Sequence, residues 1–253
     1  MDVWNEEAAT FAEHWGALAD PARFAIADAL ELAAGVRLLD IGCGGGEFCA
    51  LALPRGAQVS GIDAAPAMVE IARERAAGAD LRVGAMEHLP WDDGTFDAVT
   101  GFNSLQFADA PVSALREWVR VLRPGGKVAI CAWGPRENND LEVLEAALRG
   151  LADTPAPARS FGREGNLEAV ALGAGLELLA GATIAVPFEV PDPERLVLAM
   201  LFDARAYGVE ETAARATIVT AAAPFRRHDG SYRFENAFRY VIARSNSGGG
   251  GAV

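Results

Sequence analysis

Leu38-Leu39-Asp40-Ile41-Gly42-Cys43-Gly44-Gly45-Gly46-Glu47 runs from apolar residues through a carboxylate into glycines. That is the pattern of a buried strand turning sharply beneath a ligand. Gly42, Gly44, Gly45 and Gly46 remove the Cβ atoms that would hold a ligand off the backbone, and they permit the positive φ angles of a tight turn. Two readings compete for such a turn. A dinucleotide fingerprint requires a small residue at the position occupied by Glu47, and a carboxylate at Asp40 repels phosphates. Both residues disfavour a nicotinamide cofactor and favour a ligand with a cationic amino-acid end, which Asp40 can hold directly or through water.

Val59-Ser60-Gly61-Ile62-Asp63 reads as a second strand ending in an acid, roughly 20 residues beyond the first glycine, where a carboxylate suits the two hydroxyls of a ribose. Asp63 also precedes Pro66 and would serve as a helix N-cap. The acids and glycines upstream favour the ribose.

These segments resemble the class I S-adenosylmethionine-dependent methyltransferases, in particular the small-molecule branch similar to the ubiquinone and menaquinone biosynthesis enzymes. The resemblance rests on Leu38 to Gly46, on Gly61-Ile62-Asp63 with Met68, and on Gly84-Ala85-Met86-Glu87-His88-Leu89-Pro90-Trp91. Phe96-Asp97-Ala98-Val99 and Val121-Leu122-Arg123-Pro124-Gly125-Gly126-Lys127-Val128 complete it, in the family's order, within residues 36 to 133. It implies a Rossmann-like α/β fold: a seven-stranded sheet with helices on both faces, an antiparallel last strand and an added helical lid.

The resemblance also implies the cofactor and its ligands. S-adenosylmethionine would be the methyl donor and S-adenosylhomocysteine the product. Asp40, Gly42 and Gly44 would cradle the methionine end, Asp63 the ribose, and Met68 and Met86 the adenine faces, with Cys43 and Ala64 as further cofactor contacts. The backbone carbonyl of Asn103 would lie near the methionyl amine. Ala85 stands where the family's aspartate accepts from the adenine amino group, which leaves that contact to the Met86 amide or to Glu87.

A net charge of −13 and a pI near 4.7 set the chain against a phosphate backbone, so nucleic acid is an unfavourable partner. Asn103-Ser104-Leu105-Gln106 also lacks the N-P-P-Y type motif of enzymes that act on base or amide nitrogens. The three cysteines, at 43, 49 and 131, have no metal-ligand spacing. With no leader and no apolar run of membrane length, the expectation is a cytoplasmic protein, monomer or homodimer, acting on a small molecule without metal or membrane.

Apolar strands near 37–42, 57–63, 81–86, 96–103 and 126–133 alternate with helices near 46–53, 66–77 and 111–121, the signature of a parallel sheet covered on both faces. Further helices are expected near 137–151 and 164–173, and a sixth strand near 176–188. The expected divisions are N-terminal helices over residues 1–35 that cover the site, a cofactor-binding core over 36–190 and a helical lid insertion over 191–225. The last strand falls within 226–244, and a disordered tail follows over 245–253.

Phe11 and Trp15 share one helical face and either dock the N-terminus on the sheet or line the cofactor entrance. Phe11, Phe107, Met200 and Tyr207 are the candidate substrate contacts, with packing of the lid as the alternative. No residue declares itself as a general base; His14 is the candidate. Two other functions stay open: a cyclase or non-methylating protein that binds the same cofactor on the same fold, and an NAD-dependent oxidoreductase.

Overall fold

A computed structural model describes residues 2–152 and 161–246. Its elements follow in chain order: α1 (Asp2–Glu6), α2 (Ala8–His14), α3 (Asp20–Ala29), β1 (Arg37–Ile41), α4 (Glu47–Ala52), β2 (Gln58–Asp63), α5 (Pro66–Arg75) and β3 (Asp80–Val83). Next come β4 (Phe96–Phe102), α6 (Pro111–Val121), β5 (Leu122–Trp133), α7 (Leu141–Arg149), α8 (Asn166–Gly173), β6 (Leu176–Ala185) and β7 (Phe188–Val190). The chain closes with α9 (Pro193–Ala206), α10 (Glu211–Ala222), β8 (Tyr232–Phe234) and β9 (Ala237–Ser245).

Seven strands form one sheet in the order β3-β2-β1-β4-β5-β9-β6. The strands β3, β2, β1, β4 and β5 are parallel, and β9 runs antiparallel between β5 and β6. Parallel strands joined by helices are buried on both faces, which is why β1 and β5 read as nearly unbroken apolar runs. Successive β1 residues serve opposite faces. Leu38 joins the core beneath α3, α4 and α5, while Leu39 and Ile41 join the core beneath α6 and α8. All five parallel strands end on the same edge of the sheet, the edge where ligands bind in folds of this kind.

The expected sixth strand divides. β6 stops at Ala185, and Phe188–Val190 turns away to pair with Tyr232–Phe234 in a separate two-stranded sheet. Pro187 has no N–H to continue the ladder, and Val186 donates instead to the Asn236 carbonyl. The expected last strand divides at the same corner, since Glu235 and Asn236 interrupt it before β9 begins. Ser245, assigned to the tail, is the last residue of β9 and pairs with Leu176; residues 247–253 lie outside the described residues. Residues 153–160, between the two helices expected near 137–151 and 164–173, also lie outside them. No helix among the described residues is long and apolar enough to cross a membrane.

Candidate functional site

The glycine turn forms as its sequence requires. Gly42, Gly44 and Gly46 adopt φ values of +67°, +52° and +79°, which residues with a side chain adopt at a cost. Gly42 and Cys43 both donate to the Ile62 carbonyl, at 2.8 and 3.1 Å, so the turn is tied to β2 rather than to β1. A Cβ on Gly42 would run into the Ser104 Cβ, whereas a Cβ on Gly44 would meet nothing within 4 Å. Gly42 is therefore required by packing, and Gly44 faces open space at the ends of the strands.

Three acids surround this turn. Asp40 is 2% exposed, sits opposite Thr100 in the β1–β4 register, and accepts a 2.7 Å hydrogen bond from the Thr100 hydroxyl. Burial pushes its carboxyl up to about 7, against the hydrogen bond from Thr100 and the nearby charge of Arg23. Asp63 accepts from the Gly44 and Ala65 amides, each at 2.9 Å, so it stabilises the turn and begins α5 with the same side chain. Its carboxyl is also raised by burial, in part offset by those backbone donors. Glu47, the third acid, pairs with Arg75, whose guanidinium also donates to the Gly45 carbonyl at 2.6 Å.

Asp40, Gly42, Cys43, Gly44, Asp63 and Asn103 thus come together at the carboxyl ends of β1, β2 and β4. Ala64 is exposed beside Asp63 at the entry to α5. The loop after β3 carries Ala85, exposed, with Met86 and Glu87 half-buried. Arg120 braces this loop by donating to the carbonyls of Leu89 and Trp91, at 3.0 and 2.9 Å.

Other expected contacts are placed elsewhere. Trp15 is sunk in the core at 8% exposure, stacked on Phe188 with ring centroids 5.0 Å apart, and its indole N–H donates to the Ala199 carbonyl at 3.0 Å. Its role is the docking alternative, because a buried indole requires an acceptor and α9 supplies one. Met68 is 1% exposed and lies with Ala8 and Ala65 beneath Trp4 and Phe11, so the N-terminal helices cover it. Met200 is fully buried, and the Tyr207 hydroxyl lies 3.5 Å from Glu145 on α7. Phe11 and Phe107 do meet, through Trp4, whose ring lies 5.0 Å from Phe11, 5.6 Å from Phe107 and 4.6 Å from Phe202. His14 is half-buried as the last residue of α2.

A family model described as a methyltransferase domain matches residues 39–130, the span that holds the glycine turn, both strand-end acids and the loop after β3. Over these residues the chain is similar to a methyltransferase domain. Ubiquinone biosynthesis O-methyltransferase from Xanthomonas oryzae pv. oryzae (strain PXO99A) is 42% identical over 100 residues, covering 38% of this chain and 42% of that protein. 27-O-demethylrifamycin SV methyltransferase from Amycolatopsis mediterranei (strain S699) is 41% identical over 135 residues, covering 50% of this chain and 48% of its own. The chain thus spans about half the length, or less, of these curated relatives. Among solved structures, the [4+2]-cyclase SpnF superposes with a TM-score of 0.61 at 24% identity, covering 93% of this chain and 84% of that one, which is a likeness of fold.

Within residues 39–130 and the N-terminal helices, the sequence did not signal three residues. Arg23 on α3 is 9% exposed, donates to the Gly16 carbonyl and to Asp20, and lies 3.8 Å from Glu47. Its Nε is buried without a partner among the described residues. Thr100 and Ser104 act as supports, Thr100 holding Asp40 and Ser104 donating to the Ile41 carbonyl at 2.7 Å. An arginine, a threonine and a serine in amphipathic or apolar stretches carry no sequence signal of their own. Only the register of β4 on β1, and the docking of α3 behind β4, give them these roles.

Proposed function

We propose that the protein transfers a methyl group from S-adenosylmethionine to an oxygen, nitrogen or carbon nucleophile of an apolar small molecule. The observation that supports this most is the open space above Gly44, bracketed by a buried Asp40 and by Asp63. The residues fit the cofactor at two of its three parts. Asp40, buried and only in part offset by the charge of Arg23, suits the methionyl ammonium, and the unpartnered Nε of Arg23 suits the methionyl carboxylate. Asp63 suits the ribose hydroxyls, with its amide donors from Gly44 and Ala65 fixing its rotamer. At the adenine end, Met86 and Glu87 remain in place of the carboxylate that Ala85 lacks.

S-adenosylmethionine, when bound, supplies a methyl already activated by the positive sulfonium. What this chain must add is alignment, exclusion of water and, for a hydroxyl or amine nucleophile, a destination for its proton. The glycine turn and Asp63 fix one reactant. The aromatic rings of Trp4, Phe11, Phe107 and Phe202, drawn from α1, α2, the turn after β4 and α9, exclude water from the mouth and give an apolar acceptor a surface to lie on. Helices α1, α2 and α9 act together as the cover, with α9 tied to the N-terminal segment by the Arg195–Glu13 ion pair at 2.8 Å and by the Arg205–Glu7 pair.

The test is calorimetric titration with S-adenosylmethionine, S-adenosylhomocysteine and NAD, followed by an acceptor screen read by a methyl mass gain and release of S-adenosylhomocysteine. Binding of both adenosyl compounds with methyl gain is the expected result. Adenosyl binding with substrate conversion but no S-adenosylhomocysteine would make the protein a cyclase-like user of the cofactor. Binding of NAD alone would overturn the reading.

A further inference from the structure

The first residue after β4 is Asn103, and two of its features are costly. Its φ is +52°, one of only two such values at non-glycine residues among those described. Its side-chain Oδ1 is buried and has no hydrogen-bond partner among the described residues. An L-residue in the left-handed region loses about 1–2 kcal/mol of local stability, less for asparagine, and a buried acceptor without a donor adds to that loss. Strain of this kind persists where the surroundings impose it, and it concentrates at binding sites. The backbone here is held firmly: the Asn103 N–H donates to the Cys131 carbonyl at 2.8 Å, and Ser104 is pressed against Gly42.

Topology decides what stands opposite this amide. The ribose acid lies at the end of β2, and the adenine loop follows β3, so the cofactor extends from β1 toward that side of the sheet. β4 lies on the other side of β1, with Phe107 four residues beyond Asn103 and 58% exposed. Asn103 therefore stands where the methyl donor ends and the acceptor begins. Resting on the methyltransferase reading, we infer that Asn103 is a positioning residue whose Oδ1 accepts a hydrogen bond from the O–H or N–H of the methyl acceptor, turning its lone pair toward the methyl. A neutral amide suits this task, because a carboxylate there would compete with the nucleophile for the sulfonium.

Sinefungin, which carries an amine in place of the sulfonium methyl, puts an N–H donor at that junction and tests the inference without knowledge of the acceptor. Asn103→Gly removes the amide and also relieves the positive φ, so this variant folds with a melting temperature equal to or above that of the wild type. Asn103→Ala, which keeps the strain, serves as the second variant. The expected result is that both variants bind S-adenosylhomocysteine within about threefold of the wild type, yet lose roughly tenfold or more of affinity for sinefungin, the scale of a hydrogen bond to a charged group. Parallel losses for the two ligands would assign the amide to the methionyl end, and no loss for either would assign it to packing; each overturns the inference. Failure of the wild type to bind S-adenosylhomocysteine would instead overturn the cofactor reading, and this inference with it.

Discussion

Asp40→Asn should stabilise the free protein while abolishing its cofactor affinity, and the gain should grow with pH. The Asp40 carboxyl is buried, and that burial raises it from its ordinary value of 3.8 to about 7. A raised folded-state value means that stability is fully present below pH 3.8 and is lost as pH rises through about 7. Each unit of separation corresponds to about 1.4 kcal/mol, so burying this acid costs the fold about 4 kcal/mol at pH 8 but only about 2 kcal/mol at pH 5. Asparagine accepts the Thr100 hydroxyl bond and carries no charge, so it removes this cost at every pH. Its own amide N–H groups bring a desolvation term of about 1–3 kcal/mol, but that term is the same at both pH values and cancels in their difference. The difference of about 2–3 kcal/mol is therefore the quantity to measure. With an unfolding entropy of about 2.1 cal/mol/K per residue, it corresponds to a melting-temperature advantage about 5 °C larger at pH 8 than at pH 5. The assay is thermal unfolding of both proteins, without ligand, across that range. A variant advantage that stays flat from pH 5 to pH 8, or shrinks, would refute the reasoning and show that Arg23 neutralises Asp40 as fully as water would.

The same titration should appear in binding: affinity for S-adenosylhomocysteine should rise by about tenfold from pH 6 to pH 8 as Asp40 ionises, with release of about half a proton per ligand at pH 7, read by calorimetry in buffers of different ionisation enthalpy. Gly42 and Gly44 should separate stability from binding. Gly42→Ala, which meets Ser104 at positive φ, should lower stability by roughly 2–5 kcal/mol. Gly44→Ala, with open space before it, should lose only about 1–2 kcal/mol while weakening S-adenosylhomocysteine at least tenfold; equal effects of the two on unfolding would contradict the packing described here. Asp63→Lys should eliminate measurable S-adenosylhomocysteine binding, and retention of wild-type affinity would remove the ribose assignment.

Sequence alone determined the parts of this protein that contiguous residues encode. An apolar run ending in Asp40 and four glycines can be little else than a strand turning over a bare backbone, and the positive φ values of Gly42, Gly44 and Gly46 follow from it. The alternation of strands and helices likewise dictated a covered parallel sheet, because strands without polar alternation must be buried on both faces. The chain could not announce the contacts that join residues distant in sequence. Thr100 meets Asp40 only because β4 settles beside β1 in one register, and Arg23 nears the acid cluster only because α3 docks behind Phe102. Trp15 and Met68 had the right chemistry for a ligand wall, yet packing claimed them: burying a large apolar side chain against α9 or α1 is favourable wherever the helices happen to meet. The division of both late strands at the Val186–Asn236 corner has the same origin, since two hydrophobic segments can pair in either sheet, and only the assembled core selects which.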